Sequence, residues 1–467
     1  MSHLTTISPL RVAVIGAGPA GIYASDLLVK NATSLGREIH IDLIEKLPTP
    51  FGLIRYGVAP DHPRIKGIIT ALHKVLDRPE IRFLGNIEIG KDVSVAELQD
   101  HYDAVIFATG AVHDRDLDIP GANAEGSFGA ADFVGFYDGN PDFPRTWDLS
   151  AQSVAVIGVG NVGLDVARVL AKSAEELNIT EIPANVYETL RTNQATEVHV
   201  FGRRGPAQAK FTPQELKELD HSPTVNVVVD PEDIDYDEAS IAARTESKSQ
   251  DLVCQILEGY AIREPKEAPH TLQIHLFESP VEILTHDGRV VGLRTERTEL
   301  DGSGNVRGTG AFTDWPVQAV YRAVGYRSEP VAGVPFNHVE HVIPNDGGHV
   351  LDNAGAPVPG LYATGWIKRG PIGLIGNTKS DAKETTDLLL ADAAAGLLDA
   401  PSQSPDALLE LLDARRIPVT TWEGWYRLDA EERRLGEESG IEGRERRKIV
   451  EWEDMVAHAH VVPAHAR

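Results

Sequence analysis

The chain has a single cysteine, Cys254, in 467 residues. One thiol excludes an intramolecular disulfide, a C-x-x-C redox pair and an iron–sulfur cluster on the usual four cysteines. No apolar run reaches the roughly 18 residues a membrane span requires, so no membrane insertion is expected. The opening "MSHLTTISPL" lacks both the charged region and the apolar core of a secretory signal, and the Arg-rich character of a transit peptide. A cytoplasmic location is therefore the expectation. Positive charge is scarce: 44 Lys and Arg against 70 Asp and Glu leave a formal −26 at pH 7. That balance disfavours nonspecific binding to nucleic acid or to an anionic membrane. The apolar fraction of 42% is that of an ordinary globular protein, and the length calls for two or three domains.

Glycine, by contrast, is patterned. "RVAVIGAGPAGIYASDLLVK" (Arg11 to Lys30) reads as an apolar strand, a tight turn and a helix, with Gly16, Gly18 and Gly21 in G-x-G-x-x-G spacing and Ala17, Pro19 and Ala20 between them. Gly16 permits the turn, Gly18 admits a pyrophosphate against the backbone, and Gly21 seats the helix on the strand. The next strand, "IHIDLIEK", ends in Glu45. A carboxylate there accepts hydrogen bonds from ribose hydroxyls and repels a 2′-phosphate, which suits the AMP half of FAD, or NAD.

The pattern recurs in "SVAVIGVGNVGLDVARVLAK" (Ser153 to Lys172), with Gly158, Gly160 and Gly163, and Val159, Asn161 and Val162 completing the turn. Its partner strand, "EVHVFGRRGPAQAKF", ends in Arg203 and Arg204 instead of an acid. Guanidinium groups at that point complement a 2′-phosphate, so the second site reads as specific for NADP(H).

"YDAVIFATGA" (Tyr102 to Ala111) and "VYRAVGYRS" (Val320 to Ser328) are further apolar strands, one before the second glycine turn and one well after it. The expected fold is α/β, with two Rossmann-like, three-layer dinucleotide-binding domains, the NADP domain inserted into the FAD domain. The expected boundaries are 1–110 and 328–467 for the FAD domain and 111–327 for the insertion. A helix is expected from about Ser380 to Leu398, and a hairpin turn near Asp301 to Asn305. The acidic stretch from Asp220 to Asp251 reads as a surface excursion, and the last 60 residues as helical capping.

A protein holding both nucleotides takes a hydride onto flavin and must pass the electrons on. Without C-x-x-C or cluster ligands, the acceptor is external: oxygen, a quinone, or a one-electron carrier, which flavin can serve by releasing electrons singly. A slow nucleotide-binding redox sensor would carry an extra interaction domain, and none is evident.

"GAGPAGIYAS", "YGVAPDHPRIKG", "FGRRGPAQAKFTPQELKEL" and "GWIKRGPIGLIGNTKSDA" occur in this order and together resemble the adrenodoxin-reductase-type ferredoxin-NADP reductases. The resemblance covers nearly the whole chain. It implies FAD and NADP(H) as cofactors, ferredoxin as partner and, through ferredoxin, a cytochrome P450. It also implies roles for single residues. Trp366, where many double-nucleotide flavoproteins have an acid, would contact the flavin, and the backbone of Gly373, Leu374 and Ile375 would border the isoalloxazine. Glu45 and Leu53 would touch FAD, and the main chain of Glu88 would read adenine. Arg115, the turn Val159 to Val162, Arg203, Arg204, Glu215 and Gly373 would contact NADP. His62 would lie near nicotinamide and flavin with a proton-handling role, and Glu215 would clamp the nicotinamide end. Catalysis would be mainly positioning, without nucleophile or metal. Ferredoxins are usually acidic, so docking on a chain at −26 needs a local basic face. The candidates are Arg64, Lys66, Lys368, Arg369, Arg415, Arg416 and the run "RERRK", Arg444 to Lys448.

Overall fold

The computed structural model describes residues 9–34, 36–62, 67–373 and 375–460. Two large sheets carry the architecture. The first has eight strands in the order Asn345–Asp346, His349–Leu351, Pro357–Ala363, Ala104–Phe107, Leu10–Ile15, Ile39–Glu45, Ile81–Gly85 and Thr420–Thr421. Its five central strands are parallel, and the short strands at both edges run antiparallel. The second sheet has six parallel strands: Ser127–Gly129, Ala319–Arg322, Ser153–Ile157, Glu197–Phe201, His270–His275 and Val225–Val229. All of its strands fall in the chain between Ala104–Phe107 and Asn345–Asp346, so the second sheet is inserted within the first.

Near-continuous Val and Ile runs make strands of this kind because parallel sheets are covered on both faces. The alternation of side chains shows it directly. Val12 and Val14 pack into one apolar cluster, Ala13 and Ile15 into another on the opposite face. In the second sheet Val154 and Val156 face one cluster, Ala155 and Ile157 the other. Each sheet is thus the middle of three layers. Helices Pro19–Ser34 and Ile375–Ala395 pack together on one face of the first sheet. Proline opens the former, where its fixed φ is preset for the helix and its missing N–H costs nothing.

The two crossovers between the sheets pair with each other. His113–Asp114 and Tyr326–Arg327 form a two-stranded antiparallel ribbon, so both chain passages are held in one place. The hairpin expected around Asp301 is present, as Arg289–Leu300 pairs antiparallel with Val306–Trp315.

Two expectations need correction. The stretch from Asp220 to Asp251 is not a surface excursion. It contains Val225–Val229, the edge strand of the second sheet, and the helix Glu238–Glu246. The late helix starts at Ile375, five residues before the expected Ser380, and ends at Ala395. The chain turns at Gly373 (φ 89°), a left-handed conformation that suits glycine, and is helical from Ile375 through Gly376 and Asn377. The helix therefore presents its positive end at Ile375. Among the described residues no helix is long and apolar enough to cross a membrane.

Candidate active site

The first glycine turn is built from backbone that tolerates no side chain at two positions. A Cβ on Gly16 (φ 106°) would stand 2.5 Å from the carbonyl oxygen of Ala108, and one on Gly21 would stand 2.0 Å from that of Gly16. Gly18 differs. A Cβ there would meet only the Cα of Gly52, at 4.0 Å, so Gly18 and Gly52 leave a cleft lined by main chain. Leu53 opens the short helix Leu53–Tyr56 just beyond it. Glu45 closes the strand end: its carboxylate accepts from the N–H of Ala17 (2.7 Å) and of Leu47 (3.1 Å). Burial raises the Glu45 pKa, and those backbone donors oppose the rise. Glu88 lies on a cavity of about 550 Å³ that Lys46, Asn86, Asp142, Arg416 and Trp452 also line. Its own N–H is spent on Asp92 Oδ2 (2.8 Å).

Trp366 begins the single-turn helix Trp366–Arg369, after Gly365 (φ 75°). The acid absent from its position is supplied from elsewhere. Asp381, on helix Ile375–Ala395, accepts from the N–H of Gly365 and the hydroxyl of Thr364, and pairs with Lys368 at 3.1 Å. The half-buried indole stacks on Tyr326 with ring centroids 5.9 Å apart and 28° between planes, and Val162 of the second glycine turn packs into the same cluster. The tryptophan therefore stands where the two sheets meet. One turn later, Arg369 has both terminal guanidinium nitrogens buried without a hydrogen-bond partner among the described residues. Gly373 is exposed at the end of this loop. Leu374 lies outside the described residues; Ile375 is the first residue of the helix.

The second turn repeats the first. A Cβ on Gly158 (φ 131°) would stand 2.3 Å from the Ala323 oxygen and one on Gly163 2.4 Å from that of Gly158, whereas Gly160 faces open space. Gly160 caps helix Asn161–Ala171, whose positive end faces that space. Asn161 Oδ1 accepts from Thr212 N–H (2.8 Å), and Val159 O from Lys210 N–H (2.9 Å). These bonds fix helix Pro213–Glu218, which carries Glu215, against the turn. Arg203 is exposed and Arg204 half-buried. Their carbonyls are held by Thr298 Oγ1 (2.7 Å) and Phe277 N–H (3.3 Å). Neither guanidinium has a partner among the described residues. Arg115, on the crossover, is exposed, and its N–H donates to Gly325 O (2.9 Å).

His62 and Glu215, 153 positions apart in the sequence, are in contact. His62 Nε2 lies against Glu215 Oε2 and 3.0 Å from Asp165 Oδ1, and Nδ1 lies against Glu218. Both residues are buried. Burial alone would lower the imidazole pKa, but hydrogen bonds to Asp165 and Glu215 outweigh it and raise the value from 6.5 to about 9. A pKa raised on folding means that protonated His62 stabilises the fold. This contribution is complete below about 6.5 and is lost as pH rises through about 9. Thermal melts across that window should fall more steeply for the native chain than for His62→Gln. Parallel curves would rule the contribution out.

Residues 10–201 match the family model of the pyridine nucleotide-disulphide oxidoreductases. The NADPH-ferredoxin reductase FprA of Mycobacterium tuberculosis is 41% identical over 92% of this chain and 96% of its own length. The mitochondrial NADPH:adrenodoxin oxidoreductase of Bos taurus is 37% identical over 96% of this chain and 91% of its own. The chain belongs to the NADPH-ferredoxin and adrenodoxin reductase family. The solved structure of M. tuberculosis FprA in complex with NADPH superposes with a TM-score of 0.89 at 39% identity, covering 97% of this chain and all of that one.

The fold withdraws three of the expected docking cations, Lys368, Arg444 and Lys448, from the surface, while Arg415 and Arg416 stay exposed. Lys368 is buried between Asp381 and Glu384 (2.6 Å). Arg444 is buried on Asn178 and the Ile182 carbonyl, and Lys448 on Asp138 and Glu181. Arg415 is committed to Glu97. Arg64 and Lys66 lie outside the described residues. Sequence reading also missed Asp381, whose one signal was the Lys-Ser-Asp that follows the glycine loop.

Proposed function

We propose that this chain is an FAD-dependent NADPH-ferredoxin reductase, acting on an iron–sulfur ferredoxin that can in turn supply a cytochrome P450. FAD, when bound, would supply a two-electron hydride acceptor able to release electrons singly, so that the net reaction would convert NADPH and two oxidised ferredoxins into NADP⁺, one proton and two reduced ferredoxins. The observation that carries the reading is the pairing of two nucleotide-type turns across the Trp366–Tyr326 seam in a chain whose one cysteine, Cys254, is buried. Such a chain has an entry for hydride and no thiol pair of its own to receive electrons.

The residues fit both cofactors. For FAD, Gly16, Ala17, Gly18, Pro19, Ala20 and Gly21 would border the pyrophosphate, Glu45 the ribose, and Leu53 and the main chain of Glu88 the adenosine half. Trp366, Gly373, Leu374 and Ile375 would flank the flavin ring. The buried, unpartnered nitrogens of Arg369 are donors that a ligand acceptor would satisfy. For NADP(H), the open approach at Gly160 receives a phosphate on the helix N-terminus, and Arg203 and Arg204 take the 2′-phosphate, with Arg115 near the crossover. His62 and Glu215 would orient the nicotinamide end and keep the buried charge there fixed. Residues 1–110 and 328–467 form the FAD domain in this reading, and 111–327 the NADP domain. A cytoplasmic location accords with NADPH as reactant and reduced ferredoxin as product, both of which belong to reducing compartments.

NADPH-driven cytochrome c reduction by the yellow protein, with and without ferredoxin, tests the assignment. Strong stimulation by ferredoxin is expected. Rapid bleaching of the flavin with brisk quinone or oxygen consumption, and no ferredoxin effect, would transfer the function to a small acceptor.

A further inference from the structure

The His62 cluster holds more charge than a nicotinamide clamp requires, and its charges come from both sides of the seam. Asp61 and His62 follow the helix Leu53–Tyr56 of the first glycine-turn unit. Arg168 and Asp165 stand on helix Asn161–Ala171 with Lys172 just past it, and Glu215 and Glu218 stand on helix Pro213–Glu218. Arg168 is at the centre, with a side chain 1% exposed. Its Nε and Nη2 make a two-pronged pair with Asp61 across the seam, at 2.8 and 2.9 Å. Lys172 reinforces Asp61 at 2.8 Å. Nη2 also lies 2.7 Å from Asp165 Oδ1 and 2.6 Å from His62 Nε2. Nη1 is turned toward Glu215, 3.8 Å away, with no hydrogen-bond partner among the described residues.

We propose that Arg168, anchored across the seam by Asp61, is a positioning residue that holds His62 against Glu215 and sets how tightly the cluster keeps its proton. The inference rests on the reductase reading for its relevance to nicotinamide, but its electrostatics stand alone. Among the described residues, four carboxylates (Asp61, Asp165, Glu215 and Glu218) face two fixed cations (Arg168 and Lys172), so these groups carry −2 with His62 neutral and −1 with it protonated. Tyr137 and Tyr326, both buried, lie within electrostatic reach of Asp165. Burial keeps both phenols neutral. The excess of carboxylates draws a proton onto His62, and a guanidinium 2.6 Å from Nε2 resists it. A guanidinium is never deprotonated, so this resistance is permanent. Asp61 tempers it by neutralising part of the cation.

The two ends of one ion pair then have opposite effects on the same proton. Removing Arg168 charge lets His62 bind its proton more tightly. Removing Asp61 charge leaves Arg168 uncompensated and loosens the proton. A role confined to holding the domains together would lower stability in both variants without separating them in pH.

The test is a histidine-labelled NMR titration of the holoenzyme. The His62 signal is assigned by its loss in His62→Gln, and the native chain is compared with Arg168→Gln and Asp61→Asn. The expected result is a His62 midpoint raised by about 1–3 pH units in Arg168→Gln and lowered, by less, in Asp61→Asn. Midpoints that move together, or not at all, would overturn the proposal. Should Arg168→Gln fail to fold, Arg168→Lys keeps the charge and loses the fork. It is then expected to loosen NADPH binding with the midpoint little changed, and unaltered binding would overturn the positioning role. Stopped-flow bleaching by NADPH on the same samples separates the two levels. Absent bleaching in the native chain would defeat the reductase reading, while the titration would still decide the electrostatic one.

Discussion

Alanine at both Arg203 and Arg204 is expected to raise the KM for NADPH by about 30- to 700-fold and to leave that for NADH nearly unchanged. The two guanidiniums stand at the end of strand Glu197–Phe201, at the position where an acid would read ribose hydroxyls. Both are free of protein partners among the described residues, so each has its donors available. A hydrogen bond to a charged group is worth about 1.5–3 kcal/mol. Arg203 is exposed and its share is screened by water and salt, so the pair together supplies roughly 2–4 kcal/mol. At about 1.4 kcal/mol per decade this gives the stated range. NADH lacks the phosphate, so neither arginine has anything to lose. Steady-state kinetics with the two nucleotides at two ionic strengths checks the cause as well as the size. The native preference for NADPH should shrink as salt rises, and the variant's should not. Equal losses for both nucleotides would place these arginines in folding instead of recognition.

What the sequence made legible was local. Glycine spacing, apolar runs and the residue that ends each second strand are written within a few dozen positions, and they led directly to Gly16, Gly158, Glu45 and Arg203. Val225–Val229 was hidden because its acidic neighbours dominate any window wide enough to judge composition. The late helix was placed too far along because Gly376 and Asn377 read as loop, although the break is complete at Gly373. The charge run Arg444 to Lys448 looked solvated, since its partners Asn178, Glu181 and Asp138 lie more than 250 positions away. The same distance problem concealed the surroundings of His62. The histidine was visible, but Asp165, Arg168 and Glu215 reach it only through the fold. Local codes survive in sequence, and pairings across a domain seam do not.

The glycines allow a prediction in which one side-chain addition abolishes cofactor binding and another abolishes the fold. Gly18→Val should yield a folded protein without yellow colour, whereas Gly16→Val should fail to fold stably. At Gly16 the backbone is left-handed (φ 106°), and a Cβ would lie 2.5 Å from a carbonyl oxygen of the neighbouring strand end. The conformation alone costs a branched residue about 1–3 kcal/mol, and the overlap can be relieved only by moving main chain that belongs to the central sheet. At Gly18 the same atom would meet nothing nearer than the Gly52 Cα at 4.0 Å, so the apoprotein has room for it. The room is the cleft itself. A pyrophosphate close to the Gly18 and Gly52 backbones has no space beside two extra methyl groups, because the two main chains lie so near that a Cβ built on Gly52 would stand 3.0 Å from Gly18 Cα. Flavin content after purification, together with melting of the apoprotein, separates the two cases. Gly160→Val supplies the internal control: its position faces open space as well, but on the second turn. That variant should stay yellow, fold normally and lose NADPH. A Gly18→Val protein that retained its flavin would show that the cleft between Gly18 and Gly52 is not where the phosphates lie.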